Sequence, residues 1–325
     1  MTTILVSGAS GIVGYGILKS LRASGFDMTT IGTSIYDDSV APAFCDLFEL
    51  APLTADPAYL TWLLRIIDVH AIDLIIPGIE ADMYSWLDHK EEIEASGVTI
   101  LQNAPVLTAL CRDKWSFFEE LVAANIDCAI DSSLDSDFSA LQARFGTPFL
   151  LKPRRGFGSK GIVRVHDEES FRGYEDQIGE VLMAQPVVGD DDHEYSAAAF
   201  GDGAGHVSAV ITLRRKLSPN GFTDRAEVVP SDEFSATIEL LARHFRPVGP
   251  TNFQFRRTGA GLKLLEINPR ISSSTSIRAA FGYNESAMAI DYFLNKIVPT
   301  QPHIARGRAV RYTEDFIFHD DRLHF

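Results

Sequence analysis

The chain of 325 residues is short of cysteine, short of positive charge and free of long apolar runs. Its three cysteines, Cys45, Cys111 and Cys128, lie far apart without metal-ligand spacing, so we expect reduced and mostly buried thiols. No apolar run approaches the length of a membrane-spanning helix. The first residues read as a strand, so no signal peptide is expected. These shortages predict a cytoplasmic protein with no membrane partner.

The charge balance also excludes a class of partner. The chain has 44 acidic and 29 basic residues, which gives a formal net charge of -15. Such a field opposes the phosphate backbones of DNA and RNA, so we expect no nucleic-acid partner. Basic residues that cluster despite this balance are informative. Lys152, Arg154, Arg155 and Lys160 form such a cluster.

Strands and helices alternate over about the first hundred residues, which predicts a doubly wound α/β domain. The clearest strand is 72–76, a continuous apolar run closed by Pro77 and Gly78, as expected for a parallel strand buried on both faces. Helices are predicted over 59–69, 85–96 and 167–178. After Pro105 the pattern changes to α+β, with segments that alternate like the strands of an antiparallel sheet.

The segment 264–268 has the most informative pattern in the chain. Successive strand residues point to opposite faces, so Glu266 and Asn268 share one face while Leu265 and Ile267 face a core. A carboxylate beside an amide oxygen is a pair of hard ligands that suits Mg²⁺. Arg270 follows at once, where its guanidinium could hold a phosphate.

A preceding strand adds a third oxygen ligand to this pair. The turn 258–261 is rich in glycine and separates two alternating segments, which predicts a hairpin. The alternation predicts a register in which Thr258 pairs with Leu262, Gln254 with Glu266, and Asn252 with Asn268. Gln254 would then join Glu266 and Asn268 at one metal site. The alternative is an ordinary solvated sheet face.

A second glycine-rich loop follows the strand that ends at Lys152 and Pro153. Gly156, Gly158 and Gly161 would let backbone N–H groups approach phosphate oxygens. Lys152 would reach a phosphate as a point charge. A simple β-hairpin whose basic residues only solvate it is the alternative.

The first glycine turn supports a competing hypothesis. Gly8, Gly11 and Gly14 follow a strand and open a helix, a pattern similar to the NAD site of short-chain dehydrogenases and epimerases. However, the second strand, predicted over 29–33, is followed by Ser34 and not by an acidic residue that would bind the ribose. We therefore assign Gly8 and Gly11 to a substrate site or to structure, together with Tyr15 and Glu80, which follow strand ends.

With Asp113 and Lys114 ahead of them, the glycine loop and the metal hairpin resemble the ATP-grasp superfamily. The likeness is strongest to the carbamoyl phosphate synthase large subunit and to carboxylate–amine ligases, and it covers essentially the whole chain. It implies an ATP-grasp fold with three parts: a doubly wound pre-ATP-grasp domain over 1–105, a small subdomain over 106–188 and a large subdomain over 189–325.

The resemblance also implies roles for individual residues. The nucleotide-binding set is Lys114, Lys152, Gly156, Gly158, Ser159, Lys160, Gly161, Gln185, Val187 and Glu194. The metal ligands are Gln254, Glu266 and Asn268, and the phosphate-contacting arginine is Arg270. Two departures stand out, since Gln185 replaces the usual hinge carboxylate and the connection that precedes Glu194 is long.

In this reading the chain is an ATP-dependent ligase that uses Mg²⁺ or Mn²⁺. A small-molecule carboxylate becomes an acyl phosphate, and an amine attacks it. Arg214 and Arg215 form a second cationic cluster that would bind phosphate or a substrate carboxylate, or would simply solvate a strand end. The alternatives are an NAD-dependent epimerase or dehydrogenase and a catalytically silent ATP-binding regulator. The C-terminal tail is expected to form a last strand and cap, or a homodimer contact.

Overall fold

The computed structural model describes residues 2–156 and 160–318. Their strands form three sheets. The first sheet has five parallel strands in the order β3-β2-β1-β4-β5. These strands are β1 Thr2–Val6, β2 Met28–Ser34, β3 Leu47–Leu50, β4 Leu74–Ile76 and β5 Thr99–Ile100.

Helices cover both faces of this first sheet. They are α1 Ile12–Arg22, α2 Tyr59–His70, α3 Glu80–Asp88 and α4 Lys90–Glu94. Ile4 and Ile76 belong to the core on one face of the sheet, and Leu5 and Ile75 belong to the core on the other. This arrangement confirms the predicted doubly wound domain, because continuous apolar strands need cover on both faces.

The second sheet has three antiparallel strands in the order β7-β6-β8. They are β6 Phe149–Pro153, β7 Val163–Val165 and β8 Leu182–Pro186. Two helices pack on them through a small phenylalanine-rich core, namely α7 Phe138–Phe145 and α8 Glu168–Phe171.

The third sheet has six strands in the order β13-β12-β9-β10-β11-β14, and each neighbouring pair is antiparallel. Its strands are β9 Glu194–Asp202, β10 Val207–Leu217, β11 Thr223–Val229, β12 Val248–Thr258, β13 Gly261–Asn268 and β14 Arg308–Val310. Its accompanying helices are α5 Pro105–Leu110, α6 Lys114–Ala123, α9 Asp232–Phe245, α10 Thr275–Ala280 and α11 Glu285–Phe293. Three 3-10 turns complete the description, at Ala41–Ala43, Glu175–Gln177 and Asp191–His193.

The packing of α5 and α6 bears on the domain division. Leu107, Phe117 and Leu121 belong to the same core as Tyr195 and Phe253 of the six-stranded sheet. These two helices therefore pack with the large sheet, although they fall within the predicted small subdomain 106–188.

Two predicted helices are shorter than expected. The helix predicted over 85–96 is divided at His89, where φ and ψ are -114° and 21° and the α-helical pattern stops. A helix was also expected over 167–178, but only Glu168–Phe171 is helical because the chain turns at Gly173 with φ +91°.

The cysteines agree with the expectation of reduced and mostly buried thiols. The three thiols are unpaired, with Cys45 and Cys128 buried and Cys111 partly buried. Burial raises the pKa of Cys128 to about 11. Within the described ranges, none of the helices combines the length and the apolar character needed to cross a membrane.

Candidate active site

A cavity of about 420 Å³ lies where the three sheets meet. Its wall includes Gly11 and Glu80 from the doubly wound domain, Lys152 from β6, and Gln254 and Glu266 from the metal hairpin. A smaller cavity of about 40 Å³ shares Glu80, Lys152 and Glu266 with it. Most of the residues predicted from sequence therefore meet around one space.

The hairpin pairs as predicted at its metal end. Asn252 pairs with Asn268 and Gln254 with Glu266, so the predicted polar face exists. At the turn, however, Thr258 pairs with Gly261 rather than with Leu262. A bulge shifts the register by one residue between these two regions. Gln254 pairs with Glu266 and Phe255 pairs with Leu264, so Leu265 has no pairing partner on β12.

The bulge changes the role of one leucine. Leu265 was expected in the core, yet it lines both cavities beside Glu266. Leu264 takes the core position and is buried. Alternation alone could not show this, because a single extra residue reverses the facing of every residue on its far side.

The three predicted metal ligands differ in the hydrogen bonds that they make. Asn268 Nδ2 donates to Glu266 Oε1 at 3.0 Å, which leaves the amide oxygen of Asn268 available to a cation. Gln254 Oε1 instead accepts a hydrogen bond from Arg215 Nη2 at 2.5 Å. Among the described residues no group of three His, Cys, Asp or Glu side chains could hold a metal ion. Glu266 and Asn268 therefore fit one hard cation, while Gln254 is engaged by a guanidinium.

Glu194 is the most tightly held carboxylate of the site. Its side chain is 6 % exposed and accepts from Arg215 Nη2 at 2.9 Å and from Arg256 Nη2 at 3.0 Å. Two guanidiniums compensate one buried carboxylate, which explains how the charge is tolerated. The predicted contact of Glu194 with a ribose stays a prediction. Arg256 was missed from the sequence, although it shares the strand face of Gln254 and so could have been inferred.

Arg214 and Arg215 occupy opposite faces of β10. Arg215 is buried and lines the cavity. Arg214 is 48 % exposed, pairs with Glu227 at 2.5 Å and lies outside the described wall of the cavity. The structure thus brings only one of the two predicted arginines to the site, because neighbouring strand residues point to opposite faces.

Lys114 and Lys152 both line the cavity. Lys114 begins α6 after Asp113, whose carboxylate accepts from the Trp115 N–H at 2.9 Å, and Lys114 Nζ donates to the Gly156 carbonyl at 2.7 Å. Burial lowers the pKa of Lys152 to about 8, against the opposing attraction of Glu266. A lysine with this pKa gains most from a partner such as phosphate.

The start of the glycine loop is anchored by Asp113. Arg154 and Arg155 lie 2.8 Å and 3.0 Å from Asp113 Oδ2. Gly156 has φ +117° and Gly161 has φ +74°, which favour glycine. Gly156 and Lys160 line the cavity, whereas Gly158 and Ser159 lie outside the described residues.

The predicted hinge is strand β8 and the residues after it. Gln185 Nε2 donates to Ser132 Oγ at 2.8 Å, so its side chain is already oriented. Of the described hinge residues, Gln185, Pro186 and Val188 line the cavity, whereas Val187 does not. The neighbours of Val187 therefore form the cavity wall at the hinge.

Arg270 connects the hairpin to the doubly wound domain. Its Nη2 donates to Glu80 Oε1 at 2.9 Å, and its Nη1 donates to the Ile271 carbonyl. Both Arg270 and Glu80 line the cavity. The sequence predicted a substrate role for Glu80 and a phosphate role for Arg270, but not that the two would form an ion pair.

The first glycine turn also borders the cavity. Gly8 has φ +57°, and Gly11 lines the cavity together with Ile12 and Val13. Tyr15 stacks on Phe44 at a centroid distance of 5.2 Å and lies outside the described wall. The residues missed from sequence at this end are Ile79, Asn220, Phe222, Ser272 and Ser273. The last two directly follow Arg270 and Ile271, which was the available signal.

Known proteins resemble this chain in sequence and in fold. Residues 181–316 match the family model described as ATP-grasp in the biosynthetic pathway with Ter operon. N5-carboxyaminoimidazole synthetase from Staphylococcus aureus superposes with a TM-score of 0.73 at 17% identity, over 93% of this chain and 80% of that one. This chain has the fold of that synthetase, and its residues 181–316 match an ATP-grasp family model.

Two further proteins resemble this chain. Biotin carboxylase from Campylobacter jejuni gives a TM-score of 0.74 at 14% identity, over 94% of this chain and 74% of that one. The carbamoyl phosphate synthase large chain of Thermotoga maritima is 22% identical over 335 residues, which cover 94% of this chain. The chain spans 29% of the length of that relative.

Proposed function

We propose that this chain is an ATP-dependent ligase, which activates a carboxylate as an acyl phosphate for attack by an amine and so forms a C–N bond. The observation that carries the proposal is one cavity that collects groups suited to a metal–triphosphate complex. Lys114 and Lys152 supply positive charge, Glu266 and Asn268 supply hard oxygen atoms, and Arg270 lies on the same wall.

The nucleotide would lie along the wall between the hinge and the hairpin. Its base would contact the hinge at Gln185 and Val188, and its phosphates would reach Lys152 and the loop that begins at Gly156. The N5-carboxyaminoimidazole synthetase of Staphylococcus aureus, which has this fold, was solved in complex with ADP. That likeness supports a nucleotide in the corresponding cleft.

The metal in this proposal is Mg²⁺ or Mn²⁺. Glu266 and Asn268 would hold it through oxygen atoms, and Gln254 would join them by exchanging its hydrogen bond from Arg215. A divalent cation there neutralises charge on the phosphates and orients the phosphoryl group for transfer.

The protein's own task is positioning and charge compensation, because phosphoryl transfer needs little covalent work from a protein. Arg270 would hold the transferred phosphoryl group, and Arg215 would hold Glu194 in place. The substrates would be small molecules that bind between the first glycine turn and Arg270. The division into 1–105, 106–188 and 189–325 and the homodimer contact stay predictions.

A hydroxylamine trap tests the proposal even while the amine is unidentified. The protein is incubated with Mg-ATP, hydroxylamine and a panel of acids that includes bicarbonate, glycine, glutamate and citrate. We expect ADP and a hydroxamate to form with at least one acid. Glu266→Gln should lower this rate by more than about 100-fold, because it removes the carboxylate that would hold the divalent cation, whose stabilisation of charge is worth several kcal/mol.

Glu227→Gln is the matched control, since Glu227 is a partly exposed carboxylate on β11 that pairs with Arg214. It should turn over like the wild type. A protein that binds Mg-ATP but forms no ADP with any acid would be the silent regulator instead. A protein stabilised against heat by NAD and not by Mg-ATP would be the dehydrogenase or epimerase.

A further inference from the structure

The ion pair between Glu80 and Arg270 occupies the place where two substrates would meet. Glu80 is the first residue of α3, and Arg270 follows the metal hairpin, 190 positions later in the chain. Their side chains are 15% and 12% exposed. Both line the main cavity, and Glu80 also lines the smaller one with Lys114 and Lys152.

This pair cannot stay intact in the proposed reaction. If Arg270 turns toward a phosphoryl group, the Glu80 carboxylate loses its counter-charge at a site with little access to water. Removing one partner of such a pair is strongly unfavourable unless another cation takes its place. The Arg270 Nε atom is buried and has no hydrogen-bond partner among the described residues, so this guanidinium is not fully satisfied in its present position.

The two lysines that line both cavities are committed elsewhere. Lys114 Nζ donates to the Gly156 carbonyl at 2.7 Å, and Lys152 is attracted mainly to Glu266. The proposed reaction brings a different cation into the cavity, because an amine in water at neutral pH is mostly an ammonium ion. A carboxylate is the side chain that binds ammonium most strongly through charge-assisted hydrogen bonds.

We infer that Glu80 binds the ammonium group of the amine substrate, and that Arg270 is the resting partner that this ammonium replaces. The inference rests on the proposed ligase function and assigns a residue to its second substrate. Ile79 precedes Glu80 and packs closely on Gly8, because a Cβ atom on Gly8 would lie 2.5 Å from Ile79 Cγ2. The amine would therefore enter beside the first glycine turn.

The chemical step balances with groups that are present. The ammonium first gives one proton to Glu80, which passes it to solvent. The nitrogen lone pair then attacks the carbonyl carbon of the acyl phosphate and a C–N bond forms. The C–O bond to the phosphoryl group breaks, and inorganic phosphate leaves with the electron pair and the second nitrogen proton.

The experiment compares two nucleophiles on the same acyl phosphate. Hydroxylamine is mostly uncharged at neutral pH and needs no ammonium site. The acid that yields the most hydroxamate is therefore supplied either with hydroxylamine or with ammonium, ethylamine and the protein amino acids. In Glu80→Gln we expect the ratio of amide product to hydroxamate to fall by about 100-fold, within the usual range for a positioned proton acceptor.

Glu80→Asp keeps the charge and should recover a large part of this ratio, with a raised KM for the amine. Asp88→Asn is the control on the same helix, because Asp88 is exposed and pairs with Arg112. It should leave the ratio unchanged.

The outcomes test the role of Glu80 and the ligase function separately. If Glu80→Gln lowers amide and hydroxamate equally, Glu80 only places Arg270 and the inference is wrong, while the ligase proposal stands. If the wild type forms hydroxamate but no amide with any amine, the assignment of Glu80 to an amine is also wrong. If no acid gives hydroxamate, the ligase proposal fails and the inference fails with it.

Discussion

Arg215 Nη2 lies 2.5 Å from Gln254 Oε1, and the same guanidinium donates to Glu194. One buried arginine thus holds both a predicted metal ligand and a predicted nucleotide contact. It is 5% exposed, so its charge is compensated by the carboxylates of Glu194 and Glu266, while Gln254 accepts a further hydrogen bond.

Replacing Arg215 with methionine should destabilise the fold. Glu194 would keep only Arg256 as a partner, and breaking a buried pair typically costs about 3–5 kcal/mol of unfolding free energy. Arg214→Met is the control on the adjacent, exposed position and should change stability by less than about 0.5 kcal/mol. Urea unfolding measures both. Equal effects of the two substitutions would contradict the network.

The amino group of Lys152 should take up a proton when the nucleotide binds. Its pKa of about 8 results mainly from burial, with Lys114 and Arg256 lowering it further and Glu266 and Glu194 raising it. Phosphate favours the charged lysine, so the pKa should rise in the complex. The contribution of this contact to the affinity for Mg-ATP has its full value below about pH 8 and decreases as the pH rises above it.

Calorimetry of Mg-ATP binding at pH 9, in two buffers with different ionisation enthalpies, measures this uptake. We expect about one proton for the wild type. Lys152→Met should take up none. A wild type that binds Mg-ATP at pH 9 without proton uptake would show that Lys152 does not contact the phosphates.

Asp113 should link the cap of α6 to the glycine loop. Burial raises the pKa of its carboxyl, but the Arg154 guanidinium and the amides of α6 outweigh this, so the pKa lies below its usual value. The stabilisation is therefore present above about pH 4 and is lost as the pH falls through the lowered pKa.

Asparagine and alanine at this position separate the two roles. Asp113→Asn keeps a cap for α6 and loses the pairs with Arg154 and Arg155. Asp113→Ala should cost about 1 kcal/mol more than Asp113→Asn, because it also removes the cap. Urea midpoints at pH 7 measure the difference. In both variants trypsin should cleave after Arg154 or Arg155 faster than in the wild type. Unchanged cleavage would contradict the anchoring role.

Gly14 should not tolerate a side chain. A Cβ atom there would lie 2.3 Å from the Gly8 carbonyl oxygen, in a region where backbone faces backbone. Gly14→Ala should therefore cost about 2–3 kcal/mol, as overpacking does in other proteins. Gly259→Ala in the hairpin turn is the control, because nothing lies within 4 Å of the added atom. Thermal unfolding of both variants checks this, and a stable Gly14→Ala protein would be the contrary result.

Local pattern was sufficient for much of the fold. The strand 72–76 was recognisable because a parallel strand buried on both faces is continuously apolar, and the observed strand is Leu74–Ile76. The pairing of Gln254 with Glu266 followed from alternation and from the turn signal of the hairpin. These features depend on residues close to one another in the chain, which is why one sequence was enough.

Other features could not be predicted from the local pattern. The helix expected over 85–96 divides at His89, and the bulge near Leu265 moves that residue from the expected core to the cavity. Neither event has a strong local signal. Likewise, Arg215 is buried at the cavity and Arg214 lies outside it, and this could be known only once the orientation of β10 was known.

The sequence by itself determined the ligand types: a carboxylate and an amide on one strand face, lysines on two other segments, and glycines where backbone must approach phosphate. These follow from side-chain chemistry and from the period of a strand. Only the tertiary structure decided which residues contact one another. Arg215 donates to Gln254, Asp113 pairs with Arg154 at the start of the glycine loop, and Arg270 pairs with Glu80. The physical reason is that ion pairs form between charges brought together by packing, and Glu80 and Arg270 are 190 positions apart in the chain.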